Sequence, residues 1–442
     1  MRLARSLRGS LALAFAGTLA LPAAAGADEA DLRRVIEDLS RRVQDLEAAN
    51  GAGPAGAGWT ERVRLSGSAN VGYFGGQRDS VQEEDSFDVR DVRLFVDAEL
   101  GGPVRLGGHT LVRNTGATFE WNLVRLGRLV NDVGELFIEL QGIGGREWLN
   151  AQVGRFQLPV GEAYLRYSRG HAHKPFISNS VGPWWWDEGV KLYGSDREGR
   201  YGYIASVSDG ETPFNTDQDG GKQATLKLFV RPADWLHLSV SGLRSDRLGR
   251  PGASASGALW FGEAWARAFG SGSGVANFVD GVAQPDASAE IDDTWLVAAD
   301  AVFEWPGRLR GWLAYGRYDI RSDDASLYDR TLHYWIAELV LDGRLVSPEL
   351  APLQLGLRAN GIGTYDRGEG YLLDVRQAGV FGWNTESLHV YSLVFGWSLT
   401  PRLRLRAEYS VHDIELVRGV PDSVRGRSER NDVFAVELGA HF

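Results

Sequence analysis

Residues 431–442 read NDVFAVELGAHF, and every second position from Phe434 to Phe442 carries an apolar side chain. Side chains alternate between the two faces of an extended strand, so one face of this segment is apolar and the other carries Glu437 and His441. The last residues of a domain usually fray when nothing holds them. The pattern therefore predicts a strand that has a structural role up to Phe442 itself.

The same alternation recurs from Trp59 onward. RVRLSGSANVGYF (62–74), DVRLFVDAEL (91–100) and RLRLRAEYS (402–410) each place apolar side chains on one face and charged or polar side chains on the other. Such segments are about as long as the ~10 residues that a tilted strand needs to cross a membrane. This pattern predicts strands with one apolar and one polar face.

The connections between the predicted strands are of two kinds, which alternate along the chain. Seven are short and turn-like, at 101–102, 142–147, 195–198, 231–234, 305–307, 347–352 and 399–401. Eight are long and polar, at 75–86, 114–132, 157–187, 209–222, 245–292, 321–330, 364–385 and 416–430. This asymmetry is typical of barrels in outer membranes, which have short turns on one side and long loops on the other.

The connections predict an all-β fold, a sixteen-stranded antiparallel transmembrane β-barrel formed by residues 59–442. An open sheet edge is not tolerated in lipid, so the last strand should pair with the first. The apolar strand ending in Phe442 is similar to the C-terminal signal that outer-membrane barrels present to the barrel assembly machinery. The alternative is an edge strand of a soluble β-sandwich, against which the loop asymmetry counts.

The N-terminal residues predict export. Residues 1–27 contain three arginines, an apolar run from Leu11 to Leu21 and an A-x-A site that ends at Ala27. These are the parts of a secretory signal peptide. An exported chain with no later long apolar run fits a barrel that crosses a membrane with strands.

Residues 28–50 predict a short coiled-coil helix. Apolar residues recur there with spacings of four and three, at Leu32, Ile36, Leu39, Val43 and Leu46. This is the seam of a coiled coil, and a lone amphipathic helix packed on the barrel is the alternative. An even strand number places the helix on the short-turn side, in the periplasm. Residues 51–58, GAGPAGAG, predict a flexible linker.

Charge and composition exclude some classes of partner. The formal net charge is -11, whereas a nucleic-acid-binding surface is basic, so no nucleic-acid partner is predicted. The chain contains no cysteine, which excludes disulfides and thiolate metal sites. Only four lysines are present, so the basic charge comes almost entirely from arginine.

Two stretches carry a resemblance to a known family. VRDVRLFVDAEL (89–100) and NDVGELFIELQGIGGREWLNAQVGRFQLPVGEAYLRYS (131–168) resemble the phosphate-selective porin O and P family. The resemblance implies a homotrimeric, sixteen-stranded porin, and some members are anion channels with an arginine-lined path and a lysine-rich constriction. Gln157 stands where that family's motif has a basic residue, and acidic stretches such as 79–88 would repel anions at the mouth.

Arginines on the polar faces of three predicted strands are candidates for the pore lining. A row that faces the lumen would attract anions and hold them in a fixed fork geometry. The alternative is that these arginines pair with acids such as Asp91, Asp97, Glu99 and Glu408, which would leave a mixed and weakly selective lining. The predicted basic row consists of Arg62, Arg64, Arg90, Arg93, Arg402, Arg404 and Arg406.

The connection 157–187 is the predicted pore constriction. It carries a basic cluster followed by a Trp184–Trp186 run and two acids, so bases and acids would face each other across an eyelet that selects by size and charge. Histidines there would make conductance sensitive to pH. The predicted constriction residues are Arg166, Arg169, His171, His173, Lys174, Asp187 and Glu188.

Two other roles for this connection remain open. His171 and His173 lack a clear third ligand, so no metal site is predicted. The tryptophan run is either a stacking surface for sugar rings or an anchor at the barrel rim or a subunit contact.

These features predict an outer-membrane porin of a Gram-negative-type cell, which conducts small hydrophilic solutes, with anions such as phosphate among the candidates. The alternatives are a general or carbohydrate-permeable porin without anion preference, and a structural barrel that tethers the envelope. No nucleophile-elbow motif is present, so no enzyme activity is predicted, and no cofactor is predicted either. The expected partners are outer-membrane lipid, two further copies in a homotrimer, the assembly machinery and the solutes.

Overall fold

The computed structural model describes residues 62–76, 85–125, 128–162, 174–178, 180–183, 186–210, 220–246, 293–321, 330–363, 385–416 and 430–442. The chain divides into two compact units, Met1–Arg64 and Leu65–Phe442. The predicted signal peptide, coiled coil and linker (1–58) lie outside the described residues. Within the described residues, no helix combines the length and the apolar character needed to cross a membrane.

Sixteen strands form one closed antiparallel sheet, which confirms the predicted all-β, sixteen-stranded barrel. Two further short strands, β3 (Val104–Leu106) and β4 (His109–Val112), form a separate hairpin. The barrel strands are β1 (Val63–Gly76), β2 (Ser86–Gly101), β5 (Asn114–Arg125), β6 (Arg128–Gln141), β7 (Asn150–Gln157), β8 (Trp186–Ser195), β9 (Tyr201–Ser208), β10 (Gln223–Ala233), β11 (Leu236–Ser245), β12 (Asp293–Trp305), β13 (Leu309–Arg321), β14 (Arg330–Asp342), β15 (Leu353–Gly363), β16 (Thr385–Thr400), β17 (Leu403–Leu416) and β18 (Arg430–His441). Short 3₁₀ helices cover Ile143–Gly145, Gly343–Leu345 and Pro348–Leu350.

The barrel closes where β18 pairs with β1, as the terminal pattern predicts. Val71 lies opposite Leu438 in the register of this pair. The pairing continues to the final residue, because Gly67 and Phe442 exchange backbone N–H···O bonds of 3.0 and 3.1 Å. On the other side of β18, the backbone nitrogen of His441 donates to the carbonyl of Arg402 at 3.0 Å. The last residues are therefore held between two neighbouring strands.

The two faces of the wall have opposite character. On β10, Leu226, Leu228 and Val230 point outward and are exposed, whereas Thr225 and Lys227 point inward and are buried. An apolar exterior and a polar interior invert the arrangement of a soluble protein and suit a barrel surrounded by lipid. The period-two patterns of the sequence assign these faces correctly along β1, β2, β17 and β18, the strands on which they were read.

The connections lie at two ends of the barrel. The turn end carries the connections that follow β2, β6, β8, β10, β12, β14 and β16, and it also receives Phe442. The loop end carries the other connections, most of which are long. The structure confirms the predicted strand ends at Gln157, Ser208, Ser245 and Gly363 within one or two residues.

One predicted long connection is wrong. Residues 114–132 are not a loop, because β5 and β6 occupy nearly all of them. The alternation of connections implied a barrel strand between residues 102 and 113, but these residues form the separate β3–β4 hairpin. Strand β5 takes its place in the barrel, so the number of barrel strands remains sixteen. The side chains of Thr118, Glu120 and Asn122 are polar because they face the barrel interior, where a polar strand is easily mistaken for a loop.

Candidate functional site

The connection between β7 and β8 enters the barrel interior directly after Gln157. Leu158 and Val160 are almost completely buried. The backbone nitrogen of Gly161 then donates to Ser241 Oγ on β11 at 3.0 Å. Strand β11 is the fourth strand from β7 around the wall, so this segment reaches across the interior and does not remain at the rim.

Glu162 is the first anchor of this connection. Its Oε1 lies 2.5 Å from Lys227 Nζ, and it accepts a hydrogen bond of 3.0 Å from Ser239 Oγ. His237 Nε2 lies 2.9 Å from the same oxygen. A buried carboxylate is stable only when it is paired and hydrogen-bonded, and this socket supplies both. The anchor therefore fixes the segment against β10 and β11.

Residues Lys174–Ser178 form the second anchor, on a different part of the wall. The backbone nitrogens of Ile177 and Ser178 donate to Glu408 Oε2 at 2.6 and 3.1 Å. Arg406 Nη1 donates to the carbonyls of Lys174 and Phe176 at 2.6 and 3.2 Å. Both wall residues lie on β17, six strands from β11. The same connection is thus held at two separated positions inside the barrel.

Apolar packing reinforces the second anchor. Phe176 is fully buried and packs with Val340 of β14 and Val394 of β16. The Arg358 guanidinium lies 4.3 Å above the phenyl ring and also donates to the Ser178 carbonyl at 3.2 Å. Burying a phenylalanine side chain is worth about 1.5–3 kcal/mol. A third contact follows at Val181, whose backbone nitrogen donates to Asn360 Oδ1 at 2.9 Å.

Most arginines of the interior face carboxylates. Arg93 lies 3.3 Å from Glu120 and 3.9 Å from Asp91. Arg358 lies 3.7 Å from Glu408, and Arg406 is paired with Glu437. Arg90 is 3.7 Å from Asp88 and 4.5 Å from the Phe74 ring. These contacts favour the mixed lining over a dedicated ladder of arginines.

Arg404 differs from its neighbours on β17. It is 8% exposed, its Nη2 donates to Gln354 Oε1, and its Nε has no hydrogen-bond partner. Among the residues that the structure describes, no carboxylate lies within ion-pair distance of its guanidinium. The charges that act on it are those of Arg406 and Arg310, and both are positive. A local excess of positive charge therefore lies on this wall near the turn end.

Lys174 adds a titratable charge beside the second anchor. Its Nζ donates to the Ile177 carbonyl at 3.3 Å. Burial, followed by the charges of Arg358 and Arg406, lowers the pKa of Lys174 to about 7. The carboxylates of Asp91 and Glu408 act in the opposite direction. The charge of this lysine is therefore poised to change near neutral pH.

The structure separates the residues of the predicted basic row. Arg90, Arg93, Arg404 and Arg406 are buried on the inner wall. Arg402 is exposed in the turn before β17 and does not lie on the wall itself. Arg62 and Arg64 are exposed and belong to the unit Met1–Arg64.

The predicted constriction residues are only partly brought together. Arg166, Arg169, His171 and His173 lie outside the described residues. Asp187 is buried on β8, where Gly210 N and Gln223 Nε2 donate to it at 2.8 and 3.1 Å. Glu188 is partly exposed and lies 3.6 Å from Arg155. The charges around Lys174 are instead those of Arg358, Arg406, Asp91 and Glu408.

Four interior residues are absent from the sites predicted from the sequence: Glu162, Lys227, Arg310 and Arg358. Arg358 stands on the polar face of LQLGLRANG (353–361), and Lys227 stands on the polar face of QATLKLFV (223–230). The period-two pattern that identified Arg404 would therefore have identified both. Arg310 lies on the same face of β13 as the inward Trp312. Glu162 lies within the family-like stretch 131–168, but its partners come from strands far along the chain.

Comparison with known proteins identifies the class of fold. No protein-family model and no curated protein matches the sequence. Among solved structures, the outer membrane channel DcaP of Acinetobacter baumannii is 10% identical, with 86% of this chain and 97% of that chain covered and a TM-score of 0.54. The anion-selective porin from Comamonas acidovorans is 10% identical over 86% and 99% of the two chains, with a TM-score of 0.51. The trimer form of OmpT, an outer membrane protein of Vibrio cholerae, is also 10% identical over 86% and 99%, with a TM-score of 0.51.

The chain therefore has the barrel fold of outer-membrane porins. At these identities the likeness concerns the fold. Membership of the phosphate-selective porin O and P family stays a prediction.

Proposed function

We propose that this protein is an outer-membrane porin for the passive diffusion of small hydrophilic solutes. The observation that carries the proposal is the β7–β8 connection, which is anchored by Glu162 on one part of the inner wall and by Glu408 on another. A segment held at two positions inside a closed barrel narrows the passage and sets the largest solute that passes. The likeness to an outer membrane channel and to an anion-selective porin supports the same function.

The solute path runs between the anchored connection and the polar wall. Ion pairs such as Arg93–Glu120 produce local fields of both signs, so they orient a hydrated solute without binding it tightly. Arg404 adds a positive charge on which only other positive charges act, and Lys174 adds a positive charge that changes near neutral pH. The lining therefore favours small anions modestly, and phosphate is one candidate because guanidinium groups match its geometry.

The exterior and the ends define the proposed setting. The apolar outer face contacts lipid of the outer membrane, and the turn end faces the periplasm, as is usual for barrels of this kind. We expect a homotrimer, which the trimeric form of a structural neighbour supports. The assembly machinery would recognise the terminal strand with Phe442.

Planar-bilayer recording of the purified full-length protein tests the proposal. We expect discrete channels, a reversal potential on the anion side of zero under a KCl gradient, and a current decrease on addition of phosphate. Correctly folded protein without channels would refute the porin function. Channels with a neutral or cation-selective reversal would refute the anion preference and favour the general porin, which the extensive ion pairing supports as the second candidate.

The Glu162→Gln variant connects this test to the proposed constriction. The substitution keeps the size of the side chain but removes the charge that holds Lys227. A loosened connection should change single-channel conductance and increase current noise. Glu349→Gln, at an exposed acid in the connection between β14 and β15 that accepts a hydrogen bond from nearby Ser347, is the matched control and should leave both unchanged.

A further inference from the structure

A pocket of about 550 Å³ opens on the outer surface of the barrel at the turn end. It lies between the connection that joins β6 to β7 and the turn that joins β8 to β9. The walls of the pocket include Gly194 and Tyr203, which are paired on neighbouring strands and face outward. Leu192 and Leu228, on the same outer face, are exposed.

The connection at one side of the pocket is held rigidly. Gly142 adopts φ 65°, and the backbone nitrogen of Ile143 donates to the Leu149 carbonyl at 2.9 Å. Asn150 Oδ1 accepts from the Gly142 nitrogen at 2.9 Å, and Asn150 Nδ2 donates to the Glu147 carbonyl at 3.2 Å. The charged groups on this connection are therefore displayed on a defined backbone.

The polar groups of the pocket are mainly guanidiniums. Arg113 Nη1 lies 2.7 Å from Glu147 Oε1, and Arg197 Nε lies 3.9 Å from the other oxygen of Glu147. The Arg146 guanidinium lies 5.4 Å above the Trp148 ring and forms no ion pair with any residue of the described ranges. Asp196 accepts from the backbone nitrogens of Arg200 and Tyr201 at 2.6 and 3.1 Å. The three arginines and two acids that line the pocket leave one net positive charge.

Aromatic rings surround these charges. Tyr201 and Trp148 are strongly exposed, and the Tyr203 hydroxyl donates to the Trp148 carbonyl at 3.2 Å. Trp235 and Trp305 stack at 5.1 Å at the same end of the barrel. Tryptophan and tyrosine at one level of a barrel mark the boundary between the hydrocarbon and the head groups. The pocket therefore lies at the level where phospholipid head groups are found.

We propose that this pocket binds the head group of an anionic phospholipid. The phosphate lies against Arg146 and Arg197, the hydroxyls of a glycerol head group donate to Glu147, and the acyl chains continue along the apolar wall past Leu228. The position assigned to the ligand rests on the proposed function, because it requires a barrel embedded in a membrane. A lipid fits better than free phosphate, since the exposed rings of Trp148 and Tyr201 gain contacts only from an amphipathic ligand.

Native mass spectrometry of the detergent-purified full-length protein tests the proposal. The probe is phosphatidylglycerol, compared with phosphatidylcholine of identical acyl chains. We expect phosphatidylglycerol to bind more tightly, and the double variant Arg146→Gln/Arg197→Gln to weaken it about tenfold, since charge-assisted hydrogen bonds are lost. Arg308→Gln removes one exposed positive charge from another turn at the same end and should leave the affinity unchanged.

Three results would overturn the proposal. They are equal affinity for the two lipids, equal loss in the Arg308→Gln control, and displacement of phosphatidylglycerol by an equal concentration of inorganic phosphate. The last result would indicate a site for free anions. Bilayer recording of the unaltered protein keeps the two proposals distinguishable. If the porin function fails, the unaltered protein forms no channels, whereas if only the lipid site fails, its channels are intact.

Discussion

Glu408 Oε2 lies 2.6 Å from the backbone nitrogen of Ile177, a residue 231 positions earlier in the chain. The same carboxylate also accepts a hydrogen bond of 2.8 Å from Ser410 Oγ and lies 3.7 Å from Arg358. One side chain on β17 thus joins the β7–β8 connection to the wall and neutralises a wall arginine. The size of the passage and its charge therefore depend on the same residue.

Replacing Glu408 with glutamine should loosen the connection and leave Arg358 without a carboxylate at this position. We expect a larger and noisier single-channel conductance, and a loss of about 1–3 kcal/mol in the free energy of unfolding. Single-channel recording and denaturation in detergent measure the two effects. Glu349→Gln is the matched control, since Glu349 lies in the 3₁₀ helix Pro348–Leu350 and its side chain accepts a hydrogen bond from nearby Ser347. An unchanged conductance would show that this anchor does not limit the passage.

Replacing Arg404 with glutamine should reduce anion preference more than replacing Arg93. Arg404 has no carboxylate partner among the described residues, so its full charge acts on passing ions. Loss of a nearby unit charge should change the anion-to-cation permeability ratio about threefold. Reversal potentials in a KCl gradient measure this ratio. Arg402→Gln, at an exposed position in the preceding turn, should have little effect, and an equal effect would refute a role for Arg404 in selectivity.

Anion preference should decrease as pH rises from about 6 to 8, because the pKa of Lys174 is lowered to about 7. Below this pKa the lysine is charged, and above it the positive charge is lost. Reversal potentials recorded across this range provide the measurement. The Lys174→Gln variant separates the contribution of Lys174 from that of every other titratable group on the inner wall. A pH dependence that survives unchanged in this variant would show that Lys174 is not its source.

The same pKa shift affects stability. Between about pH 7 and the ordinary lysine value of 10.5, the unfolded chain binds more protons at this position than the folded chain. The free energy of unfolding should therefore rise with pH across this interval. Denaturation curves recorded at several pH values give the free energy of unfolding of the unaltered protein and of the Lys174→Gln variant. The same pH dependence in both proteins would show that Lys174 is not its source.

Replacing Phe442 with serine should reduce assembly in the outer membrane more than folding in detergent. The backbone bonds between Phe442 and Gly67 do not depend on the side chain, so closure of the sheet should survive. The exposed ring is the part available to the assembly machinery. Quantification of the assembled protein in cells measures assembly in the outer membrane, and refolding of the purified chain in detergent measures folding. Phe434→Ser, at a similarly exposed position on β18, is the control, and an equal assembly defect there would refute a terminal signal.

Local patterns identified much of the barrel because strands repeat a simple rule. Alternation along β1, β17 and β18 assigns outward and inward faces, and the connections predict the strand number. The rule failed at 114–132, where β5 carries Thr118, Glu120 and Asn122 on its inner face. In a soluble protein those residues would indicate a surface loop. Inside this barrel they are wall residues, so polarity alone does not distinguish a surface loop from a barrel strand with a polar inner face.

The sequence by itself determined most of the strands, the two faces of the wall and the closure through Phe442, because each depends on a period of two within one segment or on the spacing of turns. Only the tertiary structure decided which charges of the interior are neutralised. Glu162 meets Lys227, and Arg358 meets Glu408, because sheet closure and the folded-in connection bring distant segments together. Arg404 and Arg406 are two positions apart on the same face, yet only Arg406 has a carboxylate partner among the described residues. Electrostatic energy depends on distances in space, and no pattern along the chain specifies them.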